Sequence, residues 1–438
     1  MTTMADAAWF LEQECRALRT RLALVQPFVL HESMLPAAAL APDALIAVER
    51  FLLQGREELR QRLDDYFDWL LGVGATATPA EQQRRFVGLR WRFNDVLTQF
   101  DTFQQAITQR SEARIGIWLS GLDVVARDAL ELPGITVPPV ITYLDRGQGA
   151  AIRRARTRLA GGDLSPTALV LIPRERMIGS NGIASSLLHE CGHQVAALLD
   201  LVPSLQQEVR RYARTRPDDE RPAWRLWHRW MSEIAADLHA VGKLGIGATL
   251  GLMGVVSLPR IFVMRVAEDD PHPFPWIRVH LSCAMGDVLY PHPQWAAVAR
   301  LWDELYPPTG LDAVRQRLFT TLRRTCSLVA RLAVGHRPAA LRRRSIGDLQ
   351  PSRERTPDRL ARHYDELLAD PTRLYRTRPT LAFAILGQAR ADGRLMPEDE
   401  SGVVNDLLTR WALDSTFAAA GSYLPQPTHL VTSSEETS

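Results

Sequence analysis

A chain of 438 residues that is 46% hydrophobic and 23% charged has the make-up of a globular protein large enough for several domains. Its net charge of +2 supplies no global field to draw it to nucleic acid or to an anionic surface, so no nucleic-acid partner is expected. Four scattered cysteines, Cys15, Cys191, Cys283 and Cys326, without a C-x-x-C pair, exclude a disulfide framework and a cysteine zinc knuckle and fit a reducing compartment.

The first residues, MTTMADAAWFLEQECRALRTRL, lack a basic start followed by an apolar run, so no signal peptide is expected and a cytoplasmic location is. Arginine supplies nearly all the positive charge, Lys243 being the only lysine, a skew that a GC-rich, bacterial coding sequence would produce. Residues 6–132 carry apolar residues at helical spacing: Leu11, Leu18 and Leu22; then Leu45, Val48, Phe51 and Leu52; then Phe86, Leu89, Phe93 and Leu97. Pro36, Pro42 and the stretch 72–79 punctuate them, which predicts an antiparallel helical bundle. From Leu132 the texture changes. Prolines and β-branched residues predict a strand over 138–144, 149–160 reads as a helix, and Ala168–Ile172 reads as a short buried strand. Ser180 and Asn181 can cap a helix that runs to about Asp200, where Pro203 is expected to stop it.

A helix starting near Asp218 and Pro222 carries WRLWHRWMSEIAADLHA as one piece. The uncharged run Leu244–Leu258 is shorter than the roughly 20 apolar residues a membrane span needs, so a buried loop or core helix is expected and no span. Further helices are expected from Pro275 to Tyr290, near 293–305 and 311–333, and over 357–412. Between the last two, 337–362 reads as a linker or an exposed, solvated arginine-rich segment, and the tail after Pro425 as disordered.

Residues 189–193 read His-Glu-Cys-Gly-His. Histidines four apart on a helix share a face, so both imidazoles can reach one ion. Zinc accepts imidazole nitrogen in tetrahedral geometry, and Glu190 can reach a zinc-bound water as general base. The flanking residues Ile183, Leu187, Leu188, Val195 and Ala196 are apolar, and polar groups inside an apolar helix need compensation that a metal supplies. A third ligand is needed. Glu233, in Glu-Ile-Ala-Ala-Asp, is the best candidate, with Asp237 one turn on to hold the outer N–H of a liganding histidine. Small Ala235 and Ala236 would let the two helices approach closely; His228 and His239 are the rival third ligands. Trp224, Trp227 and Trp230 form a stripe that reads as core, with Trp230 as a candidate pocket wall.

HECGH followed some forty residues later by EIAAD resembles the gluzincin branch of the zincin metallopeptidases, whose pattern is H-E-x-x-H with a downstream E-x-x-x-D. His272-Pro273 followed by Arg278 is similar to the His-Pro and arginine motif of several minimal gluzincins. The resemblance covers about residues 138–290 and departs at Cys191, which is expected to serve packing. It implies a mainly α fold with a small β-sheet (α+β), in which a zincin-like core holds one Zn2+ on His189, His193 and Glu233 and hydrolyses a peptide or protein substrate. Glu190 is the implied general base, His272 and Arg278 the implied oxyanion donors, and Tyr290 and His280 further candidates. Strand Ala168–Ile172 is the candidate edge that pairs with an extended substrate. On this reading the chain divides into a bundle (1–135), a peptidase-like region (136–335), a C-terminal helical region (336–425) and a tail (426–438). The bundle restricts access or recruits a protein partner. Two other readings of the same residues are a non-catalytic scaffold stapled by zinc, and a zinc hydrolase of non-peptide amides.

Overall fold

The computed structural model describes residues 6–26, 28–146, 150–155, 165–174, 180–267, 269–351 and 353–422, and it is mainly helical with one small sheet. Three long helices open the chain: α1 (Ala7–Leu24), α2 (Pro42–Leu71) and α3 (Pro79–Thr108). Asp6 caps α1 by accepting from the Ala8 amide at 2.9 Å, and Thr78 caps α3 by accepting from Glu81 N at 3.3 Å. Leu11, Leu18, Leu22, Val48, Phe51, Phe93 and Phe103 fill the space between them, as the helical spacing predicts.

Helix α4 (Ala113–Leu130) leads into β1 (Val140–Asp145), β2 (Ala151–Arg153) and β3 (Ala168–Pro173). β3 lies in the middle, parallel to β1 (Val140 opposite Ala168) and antiparallel to β2 (Ala151 opposite Leu171). Two expectations fail here. Residues 151–153 are strand, because β3 offers them a second edge to pair with, and 150, 154 and 155 are not helical; 149 and 156–160 lie outside the described residues. β3 is also no edge, since β1 and β2 occupy both of its sides, so it cannot add a substrate strand. The sheet is apolar on both faces. Ile141, Tyr143 and Leu169 pack on the bundle, while Leu144, Val170 and Ile172 join the second core. A buried ion pair ties α4 to β1: Arg110 meets Asp123 at 2.9 Å, and Asp123 accepts from the Thr142 amide at 2.8 Å.

The remaining helices are α5 (Ser180–Leu198), α6 (Leu201–Ala213), α7 (Arg221–Arg229), α8 (Met231–Leu244), α9 (Ile246–Val256), α10 (Arg260–Val263), α11 (Pro275–Leu289), α12 (Gln294–Leu305), α13 (Ala313–Gly335), α14 (Pro357–Ala369), α15 (Arg373–Arg376), α16 (Pro379–Ala391) and α17 (Pro397–Ser422). The break after α5 comes from Asp200 in the left-handed region (φ 50°), not from Pro203, which sits in the first turn of α6 where its missing N–H costs nothing. The single helix expected from Asp218 and Pro222 through Ala240 is two, bent at Trp230 (ψ 3°). The run Leu244–Leu258 is mostly core helix α9, and among the described residues no helix is long and apolar enough to cross a membrane.

One hydrophobic cluster gathers α4, α5, α7, α8, α9, α11 and α13 with the C-terminal helices, through Leu122, Leu188, Leu238, Phe383, Leu386, Leu408 and Trp411. α4 and α17 therefore share a core with the helices that carry HECGH and EIAAD. Of the segment 337–362, the described residues up to 356 hold only the short 3-10 turns Ala339–Leu341 and Gly347–Leu349, and 357–362 open α14. Arg342, Arg343, Arg344, Arg353, Arg359 and Arg362 are exposed, as a solvated face would be. The segment's Leu341 and Ile346 are buried, and so is Arg355, which donates to the Thr380 carbonyl at 2.6 Å instead of lying in solvent. The tail beyond 422 lies outside the described residues.

Candidate metal centre

Helix α5 runs through the core with Leu187, Leu188, Cys191 and Val195 buried around it. Periodicity then puts His189, Glu190 and His193 toward the remaining side, where α8 crosses. The crossing is close because of Gly192: a Cβ there would lie 2.7 Å from both the Cα and the carbonyl oxygen of Ala236. Small residues on both helices thus let the side chains of α8 reach those of α5.

Glu233 sits between the two histidines. Its Oε2 is 3.3 Å from His189 Nε2 and its Oε1 is 3.4 Å from His193 Nε2. One ligand atom from each of the three lies within 4.8 Å of the others, so the group could hold a metal ion. Asp237 accepts from His189 Nδ1 at 2.8 Å, which fixes the tautomer that turns Nε2 toward Glu233. Arg278, from α11, grips Asp237 with two bonds, Nε to Oδ2 at 2.7 Å and Nη2 to Oδ1 at 2.9 Å, and its Nη2 reaches Glu233 Oε2 at 3.4 Å.

The electrostatics follow from this packing. Burial opposes a proton on His189, but the hydrogen bond and charge of Asp237 outweigh it and raise the imidazole to about 9. His193 is lowered to about 4, by burial first and then by the His189 charge. Against the pull of burial, His189 and Arg278 hold Glu233 below the usual carboxylate range, and Arg278 and His189 do the same for Asp237. Glu190 shifts the other way: burial raises it, partly opposed by His189.

His272 stands at the rim, 53% exposed, with Nε2 3.6 Å from Glu233 Oε2 and Nδ1 held by Asp270 at 2.8 Å. A cavity of about 170 Å³ is lined by His189, Glu190, Asp237, His272 and Arg278, by Ala150 beside β2, and by Ser185, Ala248 and Leu252 behind.

The rival ligands stay outside this group. His228 Nε2 accepts from Arg210 at 2.7 Å, and His239 is buried, its pKa lowered to about 3 by burial and by the Lys243 charge. Of the further oxyanion candidates, His280 bonds Asp303 at 2.8 Å and Tyr290 donates to the Gly242 carbonyl, so neither faces the cavity. Trp224, Trp227 and Trp230 are all buried, Trp230 edge-on to Trp227 at 5.5 Å and to Phe274 at 6.0 Å. Cys191 is buried with Sγ toward the Ala126 carbonyl, and burial pushes its thiol up, away from reactivity. Sequence reasoning missed Gly192, Asp270 and Gln194, whose Oε1 accepts from the Ala155 amide at 2.8 Å and pins the end of β2 to α5. Only Asp270, two residues before His272, carried a local signal.

Comparison with protein-family models, curated proteins and solved structures found no match.

Proposed function

We propose that the chain is a zinc-dependent metallopeptidase of the gluzincin type, with His189, His193 and Glu233 as ligands. The observation that carries this reading is the meeting of two imidazoles and one carboxylate at the wall of a cavity that His189 lines together with Glu190, a carboxylate no ligand set requires. Zinc suits the donors. A tetrahedral ion with ligands about 2.0–2.1 Å away sets them about 3.3 Å apart. His189 Nε2 and His193 Nε2 lie 3.3 and 3.4 Å from the two different oxygens of Glu233, and one ligand atom from each of the three residues lies within 4.8 Å of the others, so the side chains must close slightly around the ion. Bound there, zinc supplies Lewis acidity to a carbonyl and lowers the pKa of a water.

The protein's own groups do the rest. Glu190 takes the proton of the attacking water and delivers it to the departing amine. Burial moves it up from the ordinary glutamate range, toward that of a working base. Arg278 is committed to Asp237 by two hydrogen bonds, so it acts as a positioning residue for the Asp237–His189 pair. That leaves the exposed Nε2 of His272, held by Asp270, as the donor to a developing oxyanion. The strand that could take an extended substrate is β2 rather than β3. Its outer side has no strand partner among the described residues, and Ala150 beside it lines the cavity.

Purified protein is expected to carry about one zinc per chain, removed by chelators. Glu190→Gln is expected to keep the zinc and lose hydrolysis of a peptide library by about 10²- to 10⁴-fold. Cleavage at the wild-type rate by that variant would defeat the mechanism, and zinc retention with no wild-type cleavage would favour a structural staple.

A further inference from the structure

Two adjoining hollows, of about 650 and 860 Å³, share Pro222, Arg225 and His228 and so form one groove over α6 and α7. Its edges are set by helical period. Arg221, Arg225 and Arg229 recur every four residues on the exposed side of α7, and Arg210 and Arg214, the latter the C-cap of α6, continue the same spacing along α6. The helices are locked together beneath them: Gln206 Nε2 donates to the His228 carbonyl at 3.2 Å, Arg210 donates to His228 Nε2 at 2.7 Å, and the rings of Tyr212 and Trp224 lie 5.2 Å apart.

Most of this charge is uncompensated. Arg221 has Asp218, the one acid lining the groove, at 2.6 Å. Glu220 is turned to Trp224 and Arg324, and Arg229 donates to the Asp269 carbonyl. Arg214 and Arg225 hold no ion pair or side-chain hydrogen bond among the described residues. Like charges along one face cost stability unless something else uses them, and a chain of net charge +2 does not need them for solubility.

We infer that this groove is a docking surface for an acidic polypeptide segment, rich in Asp and Glu. Guanidinium forks meet carboxylates two bonds at a time, and paired rows on two rigid helices suit side chains leaving an extended strand on both sides. Trp224, the tryptophan that lines the groove, is buried and packed against Tyr212, which leaves its ring no free face to stack on a base and disfavours single-stranded nucleic acid. One end is formed by Pro271 and Val266, in the loop that carries His272, so a segment held here lies next to the candidate metal centre. The docking itself does not depend on what that centre does.

The test is fluorescence anisotropy on the full chain with a labelled peptide alternating Glu and Gly, at low and at physiological salt. Binding is expected, weakening with salt. R214E/R225E is expected to weaken it by roughly tenfold or more. The reference is R342E/R343E, an equal charge change at exposed residues of another arginine run, which is expected to leave binding within about twofold. Circular dichroism checks that both variants fold. Equal losses in the two variants, or no binding by the wild type, overturn the proposal. Tighter, groove-dependent binding of a single-stranded oligonucleotide of equal charge also overturns it.

Discussion

The closeness of α5 to α8 is the feature most open to direct attack, because it depends on one missing side chain. In Gly192→Ala the new Cβ starts 2.7 Å from Ala236 Cα and from the Ala236 carbonyl oxygen. Real Cβ contacts essentially never fall below 3.0 Å and ordinary contact begins at 3.4 Å, so the helices must part by 3.0 − 2.7 = 0.3 Å at least and by 3.4 − 2.7 = 0.7 Å for an ordinary contact, and the obstacle is backbone, which cannot rotate aside. The ligand spacings of 3.3 and 3.4 Å between His189, His193 and Glu233 span that same crossing. Metal–ligand distances tolerate only about 0.2 Å. The expected loss of zinc affinity is about 10- to 100-fold, the range found when the orientation of ligands is disturbed. Stability is the blunter readout, since overpacking costs about 1–3 kcal/mol while alanine in a helix regains about 1 kcal/mol over glycine. Competition with a chromophoric chelator measures the affinity. Gly88→Ala is the control, since nothing lies within 4 Å of a Cβ there. It is expected to raise stability by up to about 1 kcal/mol and leave zinc binding alone. Wild-type affinity in Gly192→Ala would refute the idea that this crossing sets the site.

Asp237→Asn keeps the shape but removes the charge that Arg278 and His189 share. Breaking a buried pair in this way is expected to cost about 3 kcal/mol in urea unfolding of the metal-free protein, and to weaken zinc binding by about 10- to 100-fold; an unchanged midpoint and affinity would show that the pair is ornamental. The pH dependence has a definite sign. His189 is raised in the folded protein to about 9, from about 6.5 when unfolded. Its contribution to metal-free stability is therefore full below the lower value and lost as pH rises through the higher one. Zinc competes with that proton, so the rise in Tm on adding zinc should grow across the same window. A zinc-induced shift independent of pH there would contradict the Asp237–His189 linkage.

How much of this was legible in the sequence depended on whether the signal was local. His189 and His193 share a face by period alone, and Glu233 and Asp237 repeat the argument, so the four could be picked out before any fold. Helix caps at Asp6 and Thr78 and the apolar spacing of α1–α3 were equally local. What failed was non-local. That β3 is central is a matter of strand order, which no period along the chain encodes. The burial of Arg355 rests on Thr380, 25 residues away, and in the sequence it is one arginine among many. The bend at Trp230 has no glycine or proline to announce it. It coincides with a packed tryptophan whose neighbours, Trp227 and Phe274, come from two directions. Gly192 was visible but mute, because its meaning lies in the helix that crosses it.

The charges buried at the site give a reason for a divalent ion that is independent of the spacing. Glu190, Glu233 and Asp237 bring three carboxylates, all under a tenth exposed, and Arg278 brings one fixed positive charge. With both imidazoles neutral, as ligands must be, the balance is −3 + 1 = −2. Burying an uncompensated charge costs several kcal/mol per ion, so a net of −2 in one small cluster is relieved either by protons, toward which burial pushes Glu190, or by a bound cation. A proton on His189 removes only half of it, which accounts for the upward shift of that imidazole in the metal-free state. One divalent cation removes all of it and, unlike protons, leaves Glu190 ionised to act as a base. Arg278 also sets the charge of the ion the site accepts. Without it the deficit would be −3, and a divalent ion would leave Glu190 with an unbalanced charge and a reason to stay protonated.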